Sequence, residues 1–247
     1  MKIMTWNVDW FRKCKRSGEE WEYKKEDIQN SIKCQIENEV QHFLEEDNTI
    51  AFLQEIPDFN SINIGEGNES AYYNRKANMH TIAVFSKNSG WTNETDSFFK
   101  ESIDYYNRIV VLKKNDIRLV GVHIPDLHRQ KTSDKETVEK LWKKLIAFIK
   151  EYKPDVICGD FNTDSEFDLL GKKIPQYELM EELKKCGDGY FEAQGSATRN
   201  KTGENPTFRG ITHVDYILVK EGVRTISYDV GDIILSDHQS LTAVVDI

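Results

Sequence analysis

Cysteine is scarce. The 247-residue chain has four, Cys14, Cys34, Cys158 and Cys186, and no CxxC pair. A thiolate zinc cage and a disulfide framework are therefore not expected. Cys158, inside an apolar run, is expected to be a small core filler. Long apolar runs are missing too. None approaches the roughly 18 residues that a membrane-spanning helix needs, and "MKIMTWNVDW" is too short and polar for a secretion signal. The expected location is therefore cytoplasmic, and the Asn-X-Ser/Thr triplets at Asn68, Asn93 and Asn200 are incidental. Proline is rare, with five in all, and no Pro/Gly/Ser linker, internal repeat or low-complexity tract interrupts the chain. The expectation is one domain over residues 1–247. Positive charge is outnumbered: 33 Lys and Arg face 42 Asp and Glu, for a net charge of -9. Such a chain gains little non-specific affinity for a polyanion, which argues against a duplex coat or sliding protein. An enzyme for phosphoesters is not, because a bound cation can make its site locally positive.

What is present is a regular supply of short apolar segments. "KIMTWNV", "TIAFLQE" (49–55), "TIAVFSK" (81–87) and "DVICGD" read as strands, as do "HVDYILV", "RTISYDV" and "SLTAVVDI" near the end. "RIVVLKKNDIRLVGVHIP" (108–125) reads as a hairpin turning at Lys114-Asn115-Asp116. Residues 24–46 predict a helix, with Ile28, Ile32, Ile36, Val40, Phe43 and Leu44 on one stripe. Residues 133–152 predict a second, opening on a Ser133/Glu136 capping box. One more helix is expected within 163–186, and 60–68 and 195–206 read as polar loops. Many short strands with two main helices predict an α/β sandwich.

Polar residues recur where these strands end: Asn7, Glu55, His123, Asp160 and Asn162, then Asp237 and His238, while Asp215 sits inside "HVDYIL". Each has an ordinary explanation. Asn7 and "SDH" can be turn residues, Glu55 a solvated strand end, His123 a satisfied core histidine, and Asp160 with Asn162 an Asx turn. Asp215 is harder to dismiss, because a buried carboxylate needs a partner or a metal. The same habit at six strand ends points to one site.

These types suit a specific chemistry. A hard cation such as Mg²⁺ takes oxygen ligands, here Glu55 with Asn7 and Asp237. Asp160 can hold or deprotonate a water, and Asn162 can orient it. His238 can donate to a phosphate oxygen if a carboxylate fixes its tautomer, and Asp215 is the candidate. Arg108, opening a strand, is a candidate to steer phosphate; an ordinary surface arginine is the competing reading.

"TWNVD", "LQE", "VHIP", "GDFN", "HVDYIL" and "SDHQSL", in this order and spacing, resemble the endonuclease/exonuclease/phosphatase superfamily, whose members include relatives of deoxyribonuclease I and exonuclease III. The resemblance runs from residue 3 to about 245. It implies a four-layered α/β sandwich, with two mainly antiparallel β-sheets packed face to face and helices outside. It also implies phosphoester hydrolysis dependent on Mg²⁺ or Mn²⁺. By matched motif, Asn7, Glu55 and Asp237 would lie at the metal, and Asp9 matches an acidic position near it in some abasic-site enzymes. Asp160 and Asn162 would handle water and phosphate, His238 would pair with Asp215, and His123 matches a histidine of deoxyribonuclease-I-like members.

The substrate is less legible. "FRGITHVDYIL" lacks the Trp-Arg pair that abasic-site enzymes carry before the late Asp, and "GDFN" lacks the Thr of tyrosyl-DNA enzymes. A nuclease or nucleic-acid-end phosphodiesterase is the leading reading. A phosphatase of inositol or nucleotide phosphates is the alternative, and an inactive binding module ranks below both because the motif residues are intact. Tyr72, Tyr73, Trp91, Tyr105 and Tyr106, in or beside predicted loops, are candidates to stack on bases, against the commoner core role. No membrane and no obligate protein partner are expected.

Overall fold

The apolar stripe in the first helical segment becomes helix α1 (Glu26–Phe43), whose Ile32, Ile36, Val40 and Phe43 are buried with Leu44 just beyond its end. The second becomes α3 (Thr132–Tyr152), burying Val138, Leu141, Trp142, Leu145, Ile146 and Ile149. This helix starts at Thr132, so Ser133 lies inside it and not at the expected cap. A computed structural model describes residues 1–9, 26–56, 62–64, 70–73, 81–87, 90–99, 108–127, 132–163, 175–193, 207–208, 212–231 and 235–247. The predicted loop 195–206, with Asn200, lies outside these residues, as do Asn68, Tyr105 and Tyr106.

The strands are β1 (Lys2–Asn7), β2 (Thr49–Ile56), β3 (Ser70–Tyr73), β4 (Thr81–Ser86), β5 (Thr92–Asn93), β6 (Ile109–Lys114), β7 (Ile117–His123), β8 (Val156–Asp160), β9 (Tyr190–Glu192), β10 (Asp215–Lys220), β11 (Arg224–Val230) and β12 (Leu241–Asp246). Two shorter helices, α2 (Thr95–Phe98) and α4 (Pro175–Lys184), complete the described elements. Tyr72 and Tyr73 thus belong to a strand beside the predicted loop 60–68. The hairpin between β6 and β7 turns on Asn115 and Asp116, with Asn115 at φ 54, a left-handed conformation that asparagine tolerates.

Each sheet has six strands, in the orders β11-β12-β1-β2-β4-β3 and β5-β6-β7-β8-β10-β9. Both follow one plan. A parallel pair lies at the centre, β1 with β2 or β7 with β8, and every other pairing is antiparallel. A long helix, α1 or α3, makes each parallel crossover.

Three apolar clusters separate four layers. Met4, Trp6, Ala51, Leu53 and Phe85 of the first sheet pack with the α1 stripe. Ile3, Ile50, Phe52 and Val84 meet Val110, Leu119, Cys158 and Ile217 between the sheets. Ile109, Val120, Ile157 and Leu218 pack against α3 and α4 on the far side. The sheets approach closely at Gly121, where an added Cβ would lie 2.4 Å from the Phe52 ring. Trp91 is buried in the layer between the sheets and has no free face to offer a base. No described helix is long and apolar enough to cross a membrane.

Candidate active site

Both parallel pairs run with their carboxyl ends toward the same edge of the sandwich, where Asn7 ends β1, His123 ends β7 and Asp160 ends β8. Ligands of α/β sheets characteristically sit outside such strand ends. Glu55 is next to last in β2, at a register shift between Leu53 and Ile56, and takes φ 58. Asn162 takes φ 50. Asparagine tolerates that region, but for Glu55 it costs about 1–3 kcal/mol, and such strain gathers at functional sites. Gly159 precedes Asp160 at φ +138, and any Cβ there would meet the Val122 carbonyl oxygen at 1.9 Å. Only glycine lets β8 lie this close to β7 while turning Asp160 into place.

The Asp160 carboxylate is the hub. Asn7 donates to its Oδ2 from Nδ2 at 3.0 Å, and Asn162 donates from Nδ2 at 3.1 Å and to Oδ1 from its backbone N–H at 2.8 Å. Asn7 also donates to Glu55 Oε1 at 3.3 Å. Asp160 and Asp215 are register partners across β8 and β10. The Asp160 side chain is almost wholly buried. Burial raises its carboxyl above the ordinary carboxylate range and the Asp215 charge adds to this, while His238, the Asn162 N–H and Asn7 pull it back.

His238 stands on the other side of Asp160. Its Nδ1 donates to Asp215 Oδ2 at 2.8 Å, leaving Nε2 4.0 Å from Asp160 Oδ2 and 3.8 Å from Asp237 Oδ1. Burial disfavours the imidazolium. The charge of Asp215 and its hydrogen bond, with Asp160 and Asp237, outweigh this and push the pKa up to about 10. His238 is therefore cationic at neutral pH. The first sheet anchors it: Trp6 Nε1 donates to the His238 carbonyl at 3.0 Å, and Ser236 Oγ donates to the Asn7 carbonyl at 2.7 Å.

His123 differs. Arg108 Nη1 lies 2.9 Å from its Nδ1, and its Nε2 is 3.2 Å from Glu55 Oε1 and 3.8 Å from Asp160 Oδ2. The same Nη1 also lies 3.3 Å from Nε2, so the guanidinium, which can only donate, faces both ring nitrogens. Arg108 is half-buried against His123, not a free surface arginine. Asp9 is tied to the same end, its N–H donating to Asn7 Oδ1 at 3.0 Å.

All nine predicted residues thus form one connected group: Arg108, His123, Glu55, Asn7, Asp160, Asn162, His238, Asp215 and Asp237. Neighbours that carried no sequence signal join them. Thr207 Oγ1 accepts the N–H of Val214 and of Asp215, and its carbonyl accepts the Gln239 N–H. The Phe208 ring lies 4.8 Å from that of His238. Thr207 stands in no periodic run or quoted motif, and Phe208 opens the quoted "FRGITHVDYIL" without having been singled out.

The donor set is oxygen-rich. Glu55, Asp160, Asp215 and Asp237 bring four carboxylates to a group whose cations are Arg108 and His238, and Asn7 adds a carboxamide. That excess of anionic, hard oxygen donors fits Mg²⁺ or Mn²⁺. Ligand atoms of Asp160, Asp215 and His238 also lie within 4.8 Å of one another, but Nδ1 of His238 is already committed to Asp215.

Comparison with known proteins gives the family and the fold. The sequence profile of the Endonuclease/Exonuclease/phosphatase family matches residues 4–238. No curated protein matches the sequence. Among solved structures, similar folds include a 3′ phosphatase from Neisseria, NExo, bound to product DNA hairpin (17% identity, TM-score 0.71). A 3′-5′ exonuclease, NExo, from Neisseria meningitidis (17%, 0.69) and an AP endonuclease from Archaeoglobus fulgidus (16%, 0.69) are also similar. Each alignment covers 100% of both chains. At these identities the likeness establishes the α/β sandwich.

Proposed function

The chain belongs to the Endonuclease/Exonuclease/phosphatase family, and from that premise we propose that it is a divalent-metal-dependent hydrolase of phosphoester bonds in nucleic acid, acting as a nuclease or at nucleic-acid ends. The observation that carries this reading is the hub at Asp160. A raised carboxyl, oriented by three donated hydrogen bonds, sits between a cationic histidine on one side and a carboxylate–carboxamide pair on the other.

Asn7 and Glu55, with Asp237 alongside, would hold the ion. When bound, it supplies charge neutralisation at the phosphate and the departing oxygen. The chain's own residues do the rest. Asp160 takes the proton of the attacking water, a task suited to a base whose pKa is lifted toward neutrality. Asn162 orients that water. His238 presents Nε2–H to a non-bridging phosphate oxygen, and Asp215 keeps its tautomer and its charge through Nδ1. His123 holds Glu55 in place, and Arg108 fixes His123 from behind. The domain is read as one unit, because Asn7 near the start and His238 near the end serve the same phosphate. The nucleic-acid reading draws support from the similar structures, a 3′ phosphatase bound to product DNA hairpin, a 3′-5′ exonuclease and an AP endonuclease.

The test is a hydrolysis panel with Mg²⁺, Mn²⁺ or EDTA. It includes single-stranded DNA, duplex DNA with and without an abasic site or a 3′ phosphate, RNA and inositol phosphates, with Asp160→Ala as control. Cleavage of nucleic acid that disappears with EDTA and in the variant supports the proposal. Turnover of inositol phosphates alone would contradict it.

A further inference from the structure

One buried polar side chain outside the nine residues is committed wholly to the backbone of the site. Gln176, in the first turn of α4, has no solvent exposure. Its Oε1 accepts the Leu127 N–H at 2.8 Å. Its Nε2 donates to the Pro125 carbonyl at 3.2 Å and to the Phe161 carbonyl at 3.3 Å. One carboxamide therefore ties together the chain that leaves β7 after His123 and the chain that leaves β8 after Asp160.

Those two segments also hold each other. Ile124 N–H donates to the Asp160 carbonyl at 2.8 Å, and Asn162 Nδ2 donates to the Ile124 carbonyl at 2.8 Å. Asn162 thus takes its position from Ile124 as much as from Asp160. Ile124 lies one residue before Pro125, and Asn162 lies one residue after Phe161. Both are direct neighbours of carbonyls that Gln176 grips. Asn162 itself sits at φ 50, a left-handed conformation that asparagine tolerates.

We propose that Gln176 is a positioning residue for the hydrolytic site, setting the Asn162 carboxamide against Asp160 by clamping the Pro125 and Phe161 carbonyls. The inference rests on the proposed hydrolase reading. Misplacement of an orienting group by about an ångström costs up to about 100-fold in rate. Gln176→Ala is therefore expected to lower kcat by roughly 10- to 100-fold with KM changed less than about threefold. Gln176→Glu keeps the volume and the acceptor for Leu127 N–H but turns a buried oxygen toward the Pro125 and Phe161 carbonyls, so its loss should equal or exceed that of Gln176→Ala.

The experiment is a double-mutant cycle with a structural readout. Gln176→Ala and Gln176→Glu are measured alone and in the Asn162→Ala background, on the substrate that the panel identifies. The expected result is strong non-additivity: without Asn162, removing Gln176 costs less than about threefold. In parallel, the side-chain NH₂ resonances of Asn162 are followed by NMR in folded protein, and both Gln176 variants should shift them. Additive losses, or a lower melting temperature with unchanged kcat, would overturn the proposal in favour of a merely structural glutamine. Unmoved Asn162 resonances would overturn it whether or not any substrate turns over. The controls separate the two levels. An Asp160→Ala variant as active as wild type sinks the hydrolase reading itself. An inactive Asp160→Ala beside a fully active Gln176→Ala sinks only the role of Gln176.

Discussion

The two sheets share one plan and divide one task. Asn7 at the end of β1 corresponds in topology to His123 at the end of β7, and the end of β2 corresponds to the end of β8. What separates the halves is the strand that pairs with each crossover product. In the second sheet β10 opens with Asp215 opposite Asp160. In the first, β4 opens with Thr81 opposite Ile56. Burial first, and then the charge of Asp215 beside it, lifts the Asp160 carboxyl, and Asp215 holds His238 as its counter-ion. Glu55 has no such neighbour strand, and its side chain is 20% exposed, open to a cation. On the proposed reading, the same topology would give a proton-handling half and an ion-holding half, set apart by the burial of Asp160 and by the carboxylate that its partner strand places beside it.

That division can be broken residue by residue. The largest effect belongs to the proton-handling half. Asp160→Ala removes the base and the hub of three hydrogen bonds, and kcat should fall about 10³-fold or more. Added Mg²⁺ should not restore it, as a metal titration of initial rates would show. His238→Gln comes next, with a loss on the order of 10²- to 10³-fold in kcat, again without rescue by metal. Glu55→Gln should behave differently. The account expects a rise of roughly 10-fold or more in the Mg²⁺ concentration for half-maximal rate, with much of the rate recovered at high metal. If Glu55→Gln and Asp160→Ala answer Mg²⁺ alike, the division of labour is wrong. Arg108→Ala, which acts through His123, should have the mildest kinetic effect, about 3- to 10-fold in kcat/KM.

A pH experiment sharpens the same contrast without substrate. The pKa of His238 is raised from its ordinary 6.5 to about 10. The folded state therefore holds a proton that the unfolded state releases between these values. The resulting stability is fully present below pH 6.5 and is lost as pH rises through about 10. Asp160, also raised, acts in the same sense at lower pH. With metal chelated, the melting temperature of wild type should fall more steeply from pH 6.5 to 10 than that of His238→Gln. Parallel curves would show that the Asp215–His238 pair is not charged as described.

Most of this was legible in the chain because period and position speak locally. The stripes of α1 and α3 announce helices, alternation and β-branched runs announce the long strands, and polar strand ends announce the site. What stayed hidden depends on tertiary partners. β5 and β9, of two and three residues, are too short to show a period and exist only because β6 and β10 pair with them. Tyr72 and Tyr73 follow a Gly-bearing stretch and carry no strand period of their own, yet β4 pairs with them as an edge strand. Thr207 and Gln176 look like any polar residue in sequence; their meaning lies in which backbone groups they satisfy. The Ser133 capping box misplaced a helix start by one residue because the box reads only local chain, while the helix continues back to Thr132.

The measurement that tests the central claim most directly is the initial rate of product formation from end- or abasic-site-bearing duplex DNA across a Mg²⁺ titration, for wild type and Asp160→Ala side by side. The account predicts metal-dependent cleavage by wild type, abolished by EDTA, and no cleavage by Asp160→Ala at any Mg²⁺ concentration. Intact DNA with wild type at every concentration, or cleavage by the variant at the wild-type rate, would contradict it.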